Sequence, residues 1–400
     1  MIENISSKPF ERDFKISDSR KKIEACLKLK NFKKKVTETD SSTETSFCEI
    51  FDKKGNMISG GCGKGEFSSV SCVAEALEHY YTCNFSNLVL KDIDKVFSKD
   101  PTSFIAKEYN FKKILSREYK NIRDPKKTLW VPAIISNPNV YNINFFSKLN
   151  EKQLNPYGTN SGSAIGCSRN EVLIHAINEV VERDALSIFI IKHFFNKEKN
   201  SVKVLEEGSI PRNLKDKLNL MEKKFISKIK ILDITTDLNF PTYVTFLEKK
   251  INQTHQYGVG TSLNKYHALY RSITEMAQCV NMYDAEEQNY DKKIIEKVEE
   301  YKKWKDIIQF NVNFNENFKK IEFKDDKSDV LNVTELILKK MLKKLEDKGF
   351  SAFYSQTIKY PNGIESGHVY IPYLERFHIL KSGNLVSPGS RGKEILNEVF

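Results

Sequence analysis

Two helices that are apolar on every side but one constrain this chain more than any other feature. Ser71-Cys-Val-Ala-Glu75-Ala-Leu-Glu78 carries two glutamates three residues apart, and Glu171-Val-Leu-Ile-His-Ala-Ile-Asn-Glu179-Val-Val-Glu182-Arg183-Asp184 repeats the pair. A third segment, Arg271-Ser-Ile-Thr-Glu275-Met-Ala-Gln278, has one carboxylate and one amide at the same spacing. Residues three or four apart share a helix face, so each segment carries one narrow polar stripe. Val180-Val181 and Ala185-Leu186 beside the second stripe predict burial, and unpaired buried carboxylates are costly. For a single pair, a solvent-facing Glu78, or Glu179 and Glu182 paired with Arg183 or Lys192, is an adequate account. Both pairs together call for cations. Divalent metal clamped against a polyphosphate explains them jointly, because Mg2+ takes oxygen ligands from one or two carboxylates plus phosphates and water.

Each helix follows a glycine-containing stretch that reads as a loop. These are Gly60-Gly-Cys-Gly-Lys64-Gly65, Asn160-Ser161-Gly162-Ser-Ala-Ile-Gly166 and Tyr257-Gly-Val-Gly260-Thr-Ser262. Glycine permits close backbone approach to a ligand, and amides at a helix start favour phosphate. The residues therefore divide by role. Glu75, Glu78, Glu179 and Glu182 are candidate metal ligands. Lys64, Arg183 and Arg271 supply phosphate-directed charge, and Ser71 and Gln278 neutral hydrogen bonds. His175, one turn before Glu179, either lines the same site or packs behind it. No Walker-type Gly-x-x-x-x-Gly-Lys-Ser/Thr sequence is present, so a nucleotide site here is of another kind.

The bulk properties narrow the field. A chain of 400 residues is one large domain or two to three smaller ones. Its net charge of +11 is spread over separated lysines with no aromatic-interleaved basic patch, so no specific nucleic-acid partner is expected. Seven cysteines include no Cys-x-x-Cys pair, which argues against a thiolate zinc site and for reduced thiols. Met1 to Lys8 has no apolar signal region, and no run reaches the roughly 20 apolar residues of a membrane span. A cytoplasmic protein is expected.

Coarse patterning gives a mixed α/β fold. Helices are expected over about 21–29, 69–83, 168–195, 265–283 and 333–348. Strands are expected at 47–51, 130–135, 228–234, 242–247, 351–358 and 368–374. Thr37 to Thr45 reads as loop by composition. Residues 1–44 read as a polar N-terminal extension, 45–400 as the main domain, and 286–330 as a peripheral insertion.

The three motifs, in this order, resemble the YcaO family of ATP-dependent peptide-backbone-modifying enzymes. Gly63-Lys64-Gly65 with Ser71, Glu75 and Glu78 matches the first family motif, with His79 where the family has arginine. The Asn160-Ser161-Gly162 stretch with Glu171 and Glu179-Val-Val-Glu182-Arg183-Asp184 matches the second. Arg271, Glu275 and Gln278 match the third. The resemblance implies a YcaO-like fold, with mixed β-sheet carrying three motif helices around a Mg-ATP site. It implies ATP contacts from Lys64, Ser71, Asn160, Ser161, Arg183, Arg271, Glu275 and Gln278, and Mg2+ held by Glu75, Glu78, Glu179 and Glu182. It further implies phosphorylation of a carbonyl-derived oxygen in a ribosomally made peptide or protein, giving an azoline or a thioamide. The expected partners are a precursor peptide or protein and an E1-like, leader-binding or TfuA-like protein, with a homodimer left open. A Pro388-Gly389-Ser390-Arg391 ending looks more like thioamide-type or stand-alone members than a proline-rich azoline-forming tail. A non-catalytic accessory protein on the same scaffold is the alternative.

Overall fold

The computed structural model describes residues 8–84, 87–140, 152–195, 202–312, 318–325 and 332–397. Its helices are α1 (Ile16–Leu29), α2 (Ser68–Cys83), α3 (Pro101–Glu108), α4 (Arg169–Ile190), α5 (Arg212–Phe225), α6 (Lys265–Met282), α7 (Ala285–Lys297), α8 (Lys302–Ile308), α9 (Thr334–Glu346) and α10 (Ser390–Asn397). Three sheets carry them.

The first sheet is an antiparallel meander of β1 (Lys33–Asp40), β2 (Thr45–Phe51) and β3 (Met57–Lys64). The second joins β4 (Val89–Asp92), β5 (Lys113–Asn121), β13 (Phe353–Lys359), β14 (Glu365–Tyr370) and β7 (Ser163–Gly166), and β6 (Thr128–Pro132) pairs with β5. The third runs β11 (Tyr257–Thr261), β10 (Thr242–Leu247), β9 (Ile229–Asp233), β8 (Val202–Leu205) and β12 (Phe318–Ile321). Among the described residues only β12, on β8, pairs in parallel in that sheet.

Apolar faces decide which helix covers which sheet. Val73, Ala76 and Leu77 of α2 pack with Cys48 and Ile50 of β2 and with Ile23 and Leu27 of α1. Leu269, Ile273 and Met276 of α6 pack with Ile231 and Tyr243 and with Leu214, Leu218 and Met221 of α5. Ile174, Ile177 and Val181 of α4 pack with Val369 of β14 and with Leu338, Met341 and Leu345 of α9. Each motif helix thus buries its apolar side on a sheet and turns its polar stripe away from it.

Two of these layers share one plan. The order α1-β1-β2-β3-α2 recurs as α5-β9-β10-β11-α6. In both, the last strand lies directly under the helix that follows. A Cβ placed on Gly63 would come within 1.9 Å of Ser68 O, and on Gly61 within 2.3 Å of Ala76 N. The counterparts are Gly260, 2.2 Å from Ala268 O, and Gly258, 2.1 Å from Met276 N. Contacts that short leave no room for any side chain, so strand and helix meet backbone against backbone. The match puts Glu75 and Glu275 at equivalent positions, as well as Ser71 and Arg271, and Glu78 and Gln278.

This corrects the loop reading of the glycine stretches, in that of residues 160–166 from Ser163 onward, where β7 begins, and in the other two throughout the strand. Residues 60–64 and 257–261 are strand, paired as Thr45↔Lys64 and Ser46↔Gly63 in one case and Val244↔Val259 in the other. Their glycines serve close packing. Thr37 to Asp40 is also strand rather than loop: the residues face solvent but pair with Ser46 and Phe47 of β2, and partner hydrogen bonds override a polar composition. The segment from Ser387 enters helix at Ser390. Ahead of α1, buried Glu11 accepts from Asn178 Nδ2 of α4 (3.1 Å) and from Ser262 Oγ (2.6 Å) just before α6, tying the segment ahead of α1 to both.

Candidate functional site

Capping fixes where two of the motif helices begin. Ser168 Oγ accepts the Glu171 N–H (3.2 Å) at the start of α4, and Asn264 Oδ1 accepts the His267 N–H (2.8 Å) at the start of α6. For α2 the Ser68 N–H reaches Gly65 O at 2.9 Å. With starts and sheets fixed, the three polar stripes converge with the end of β3 on one half-buried cleft.

Lys64, the last residue of β3, forms an ion pair with Glu275 of α6. Gln278 Nε2 donates to Cys62 O at 2.6 Å, a second tie between the same elements. On α4, Arg183 lies 3.7 Å from Glu179 and 3.5 Å from Glu182. The Gly162 N–H donates to Glu179 at 3.2 Å, so the turn before β7 reaches the same carboxylate. Arg271 Nη1 meets His175 Nδ1 at 3.3 Å. Burial, then the charges of Arg271 and Arg12, hold His175 well below its usual pKa, so it meets the guanidinium as neutral imidazole. Ser71 Oγ donates to Ser68 O (3.3 Å), one turn before Glu75. Asn160 gives its carbonyl to the Ser163 N–H (2.9 Å). Ser161 takes a hydrogen bond at its own carbonyl from His368 (3.0 Å) and lines a cavity with Arg183. His79 Nδ1 meets Gly60 O at 2.8 Å, while its Nε2 stands 3.9 Å from Glu75. His193 lies elsewhere, stacked on Phe189.

The electrostatics are those of a cation-poor cavity. Burial, then repulsion from Glu275, pushes Glu182 up to about 7. Burial also raises Glu179, and burial with repulsion from Glu179 and Glu75 carries Glu78 well above the usual carboxylate range. Glu75 is raised by burial too, although its side chain is 37% exposed and solvent softens the effect. Glu275 behaves otherwise: burial opposes ionisation, but Lys64, Arg183 and Arg271 outweigh it and bring the pKa below its usual value. Five carboxylates thus face three fixed cations. Glu182 Oε2 and Arg271 Nε are buried without hydrogen-bond partners among the described residues. A guest that brings both a cation and anionic oxygens matches both kinds of orphan. Among the described residues no three His, Cys, Asp or Glu side chains are grouped tightly enough to hold a metal ion unaided.

A pH dependence follows from Glu182. Its carboxyl ionises near 4.5 when unfolded and near 7 when folded, so the folded state binds more protons between those values. Stability of the ligand-free protein is therefore expected to fall as pH rises from about 5 to 7.5, by at most about 3 kcal/mol from this residue. Thermal melts at pH 5.5 and 8 check it; a higher midpoint at pH 8 would contradict the burial of Glu182 as a charge.

Sequence reading missed several residues around the cleft. Arg12, in the segment ahead of α1, belongs to the charges around His175. His368 bridges Ser161 O and Tyr119 OH, both at 3.0 Å. Asp184, which the sequence placed at the end of the second motif without a role, turns away to accept the Glu375 N–H (2.8 Å) and to pair with Arg391 (3.1 Å). No local pattern marks the first two, because their partners lie more than 150 residues away in sequence.

The chain can now be set beside known proteins. Residues 60–375 match the family model described as "YcaO cyclodehydratase, ATP-ad Mg2+-binding". Among solved structures, YcaO from Methanopyrus kandleri bound with AMPPCP and Mg2+ superposes with a TM-score of 0.63 at 13% identity, covering 96% of this chain and 97% of that one. A heterocyclase in complex with substrate and cofactor gives 0.59 at 13% identity, covering 88% of this chain and 52% of that one. This chain therefore spans about half of that heterocyclase. The E. coli microcin synthetase McbBCD complex gives 0.55 at 14% identity, with coverage of 86% and 88%. No curated protein matches. At these identities the structural likenesses show the fold, a mixed α/β fold with several sheets. No helix among the described residues is long and apolar enough to cross a membrane. With the family model matched across most of its length, the chain belongs to the YcaO family.

Proposed function

We propose that the cleft binds Mg-ATP and that the protein activates a backbone amide of a peptide substrate. The observation that carries this reading is the convergence of Glu75, Glu78, Glu179, Glu182 and Glu275 from three helices on Lys64, Arg183 and Arg271. Bound Mg-ATP supplies the phosphoryl group that turns a carbonyl-derived oxygen into a leaving group. Glu75, Glu78, Glu179 and Glu182 offer carboxylate oxygens to Mg2+, and their spread across the cleft suits ions held jointly by protein and phosphate. Lys64, Arg183 and Arg271 direct charge at phosphate, and Ser71, Asn160, Ser161 and Gln278 offer neutral hydrogen bonds. Glu275 holds the Lys64 ammonium through their ion pair. These groups position and neutralise, which is what phosphoryl transfer asks of a protein.

The substrate class proposed is a ribosomally made peptide or protein, delivered with an E1-like, leader-binding or TfuA-like partner. The product is an azoline when a substrate side chain attacks the carbonyl, and a thioamide when external sulfide does. Calorimetry with AMPPCP tests the cleft: binding in the presence of Mg2+ and its loss with EDTA are expected, and no heat in either case overturns the reading. Mass spectrometry of a co-expressed precursor then separates loss of water from exchange of oxygen for sulfur. Nucleotide binding without turnover in the presence of precursor and partner would favour an accessory role.

A further inference from the structure

The likeness of the two layers extends to their outer strands. Cys48 stands between Gly61 and Val36 in the first layer, as Thr245 stands between Gly258 and Ile231 in the second. Counting on from there, Thr37 corresponds to Leu232 and Glu38 to Asp233. In the second layer the outer edge of β9 is covered. β8 runs antiparallel along it, with Lys203 opposite Asp233 and Val204 opposite Leu232.

The first layer has no such cover. Among the described residues β2 is the only strand paired with β1, and Lys33 to Thr39 are all exposed. Val36, in the middle, is 38% exposed. Unpaired N–H and C=O groups along an open edge are a template for another strand. Lysines on such an edge repel most strands, but β1 reads Lys-Lys-Lys-Val-Thr-Glu-Thr-Asp, basic in its first half and acidic in its second. A second copy laid antiparallel about a two-fold axis meets it with the charges in the opposite order. With Val36 on the axis, Lys34 faces the second copy's Glu38, twice by symmetry, and Lys35 faces the second copy's Thr37. The contact at Glu38 then repeats that of Lys203 with Asp233 in the other layer. The next symmetric registers are worse. One sets Lys35 against itself, and the other sets Val36 against Glu38 and runs into the slip in the ladder after Glu38.

We propose that β1 is a dimer edge: two copies of the chain pair β1 with β1, antiparallel about a two-fold axis at Val36, with Lys34 of each against Glu38 of the other. The two three-stranded sheets become one of six strands. Each half of the joined sheet carries its own α2, so Glu75 and Glu78 of both copies stand on one continuous body. The contact needs neither nucleotide nor peptide. One pair of strands is a small interface, so the dimer is a weak and reversible one.

Sedimentation velocity of the full chain tests this. Between about 1 and 200 µM the wild type should pass from monomer towards dimer, the range of a weak interface. Lys34→Glu sets acid against acid at both symmetric contacts, and Glu38→Lys sets base against base. Each variant alone should associate about tenfold more weakly or worse. An equimolar mixture of the two should regain the wild-type association, because one copy then offers two acidic positions and the other two basic ones. Circular dichroism checks that each variant is folded. If Lys34→Glu is not, through loss of its ion pair with Glu24, the comparison of Glu38→Lys with the double variant Lys34→Glu/Glu38→Lys decides, the first weakened and the second restored. A wild type that stays monomeric at 200 µM overturns the proposal. So does a dimer that Glu38→Lys leaves intact, or a weakened one that neither the mixture nor the double variant restores.

Discussion

Glu182→Gln is expected to abolish Mg2+-dependent stabilisation by AMPPCP and cut ATP turnover roughly 100-fold or more, while making the ligand-free protein more stable at pH 8. The two halves have one cause. Glu182 is 1% exposed, with one oxygen lacking a hydrogen-bond partner and its pKa pushed up to about 7 by burial and by Glu275. At pH 8 the empty cleft carries that charge at a cost of up to about 3 kcal/mol. Glutamine keeps the shape and removes the charge, so the cost disappears together with the ligand oxygen. Differential scanning fluorimetry at pH 8, with and without Mg-AMPPCP, separates the outcomes. A variant that still gains the wild-type shift from Mg-AMPPCP would remove Glu182 from the metal set. One that melts lower without ligand would show that Glu182 supports the fold.

Gly63→Ala should cost about 3 kcal/mol or more, the upper range for overpacking, and should abolish nucleotide binding even where the protein still folds. The added carbon would sit 1.9 Å from Ser68 O and 2.8 Å from Cys72 N, and neither backbone group can swing aside as a side chain tip does. Either α2 lifts off β3 or β3 leaves its register with β2. Both movements carry Lys64 away from Glu275. Gly208→Ala is the matched control, since nothing lies within 4 Å of its added Cβ. Urea melts of the two variants make the comparison. Equal midpoints would mean that α2 and β3 separate at little cost.

How much of this was legible beforehand depended on where each signal is stored. The glutamate stripes are local, written in three-residue spacings, and α2, α4 and α6 begin and end close to where capping and periodicity put them. Ser168 caps α4. Glycine misled, because a missing side chain marks equally a flexible loop and a strand pressed against another backbone, and only the partner tells them apart. Composition misled at Thr37 to Asp40, where hydrogen bonds to β2 hold an exposed polar strand. The amphipathic α5, with Leu214, Leu218 and Met221 buried, was readable from spacing alone and went unread.

The backbone-to-backbone seating of α2 on β3 and of α6 on β11 bears on how such a chain can change over time. Where side chains separate two elements, each exchange of one apolar residue for another shifts the gap by a fraction of an ångström. Here the gap is set by atoms every residue shares, so Glu75 and Glu275 keep their footing whatever happens to the hydrophobic layers behind them. Those layers are free to drift, which fits a fold matched at 13% identity along nearly its whole length. What has to be inherited is an emptiness: four positions, Gly61, Gly63, Gly258 and Gly260, at which nothing is allowed to grow.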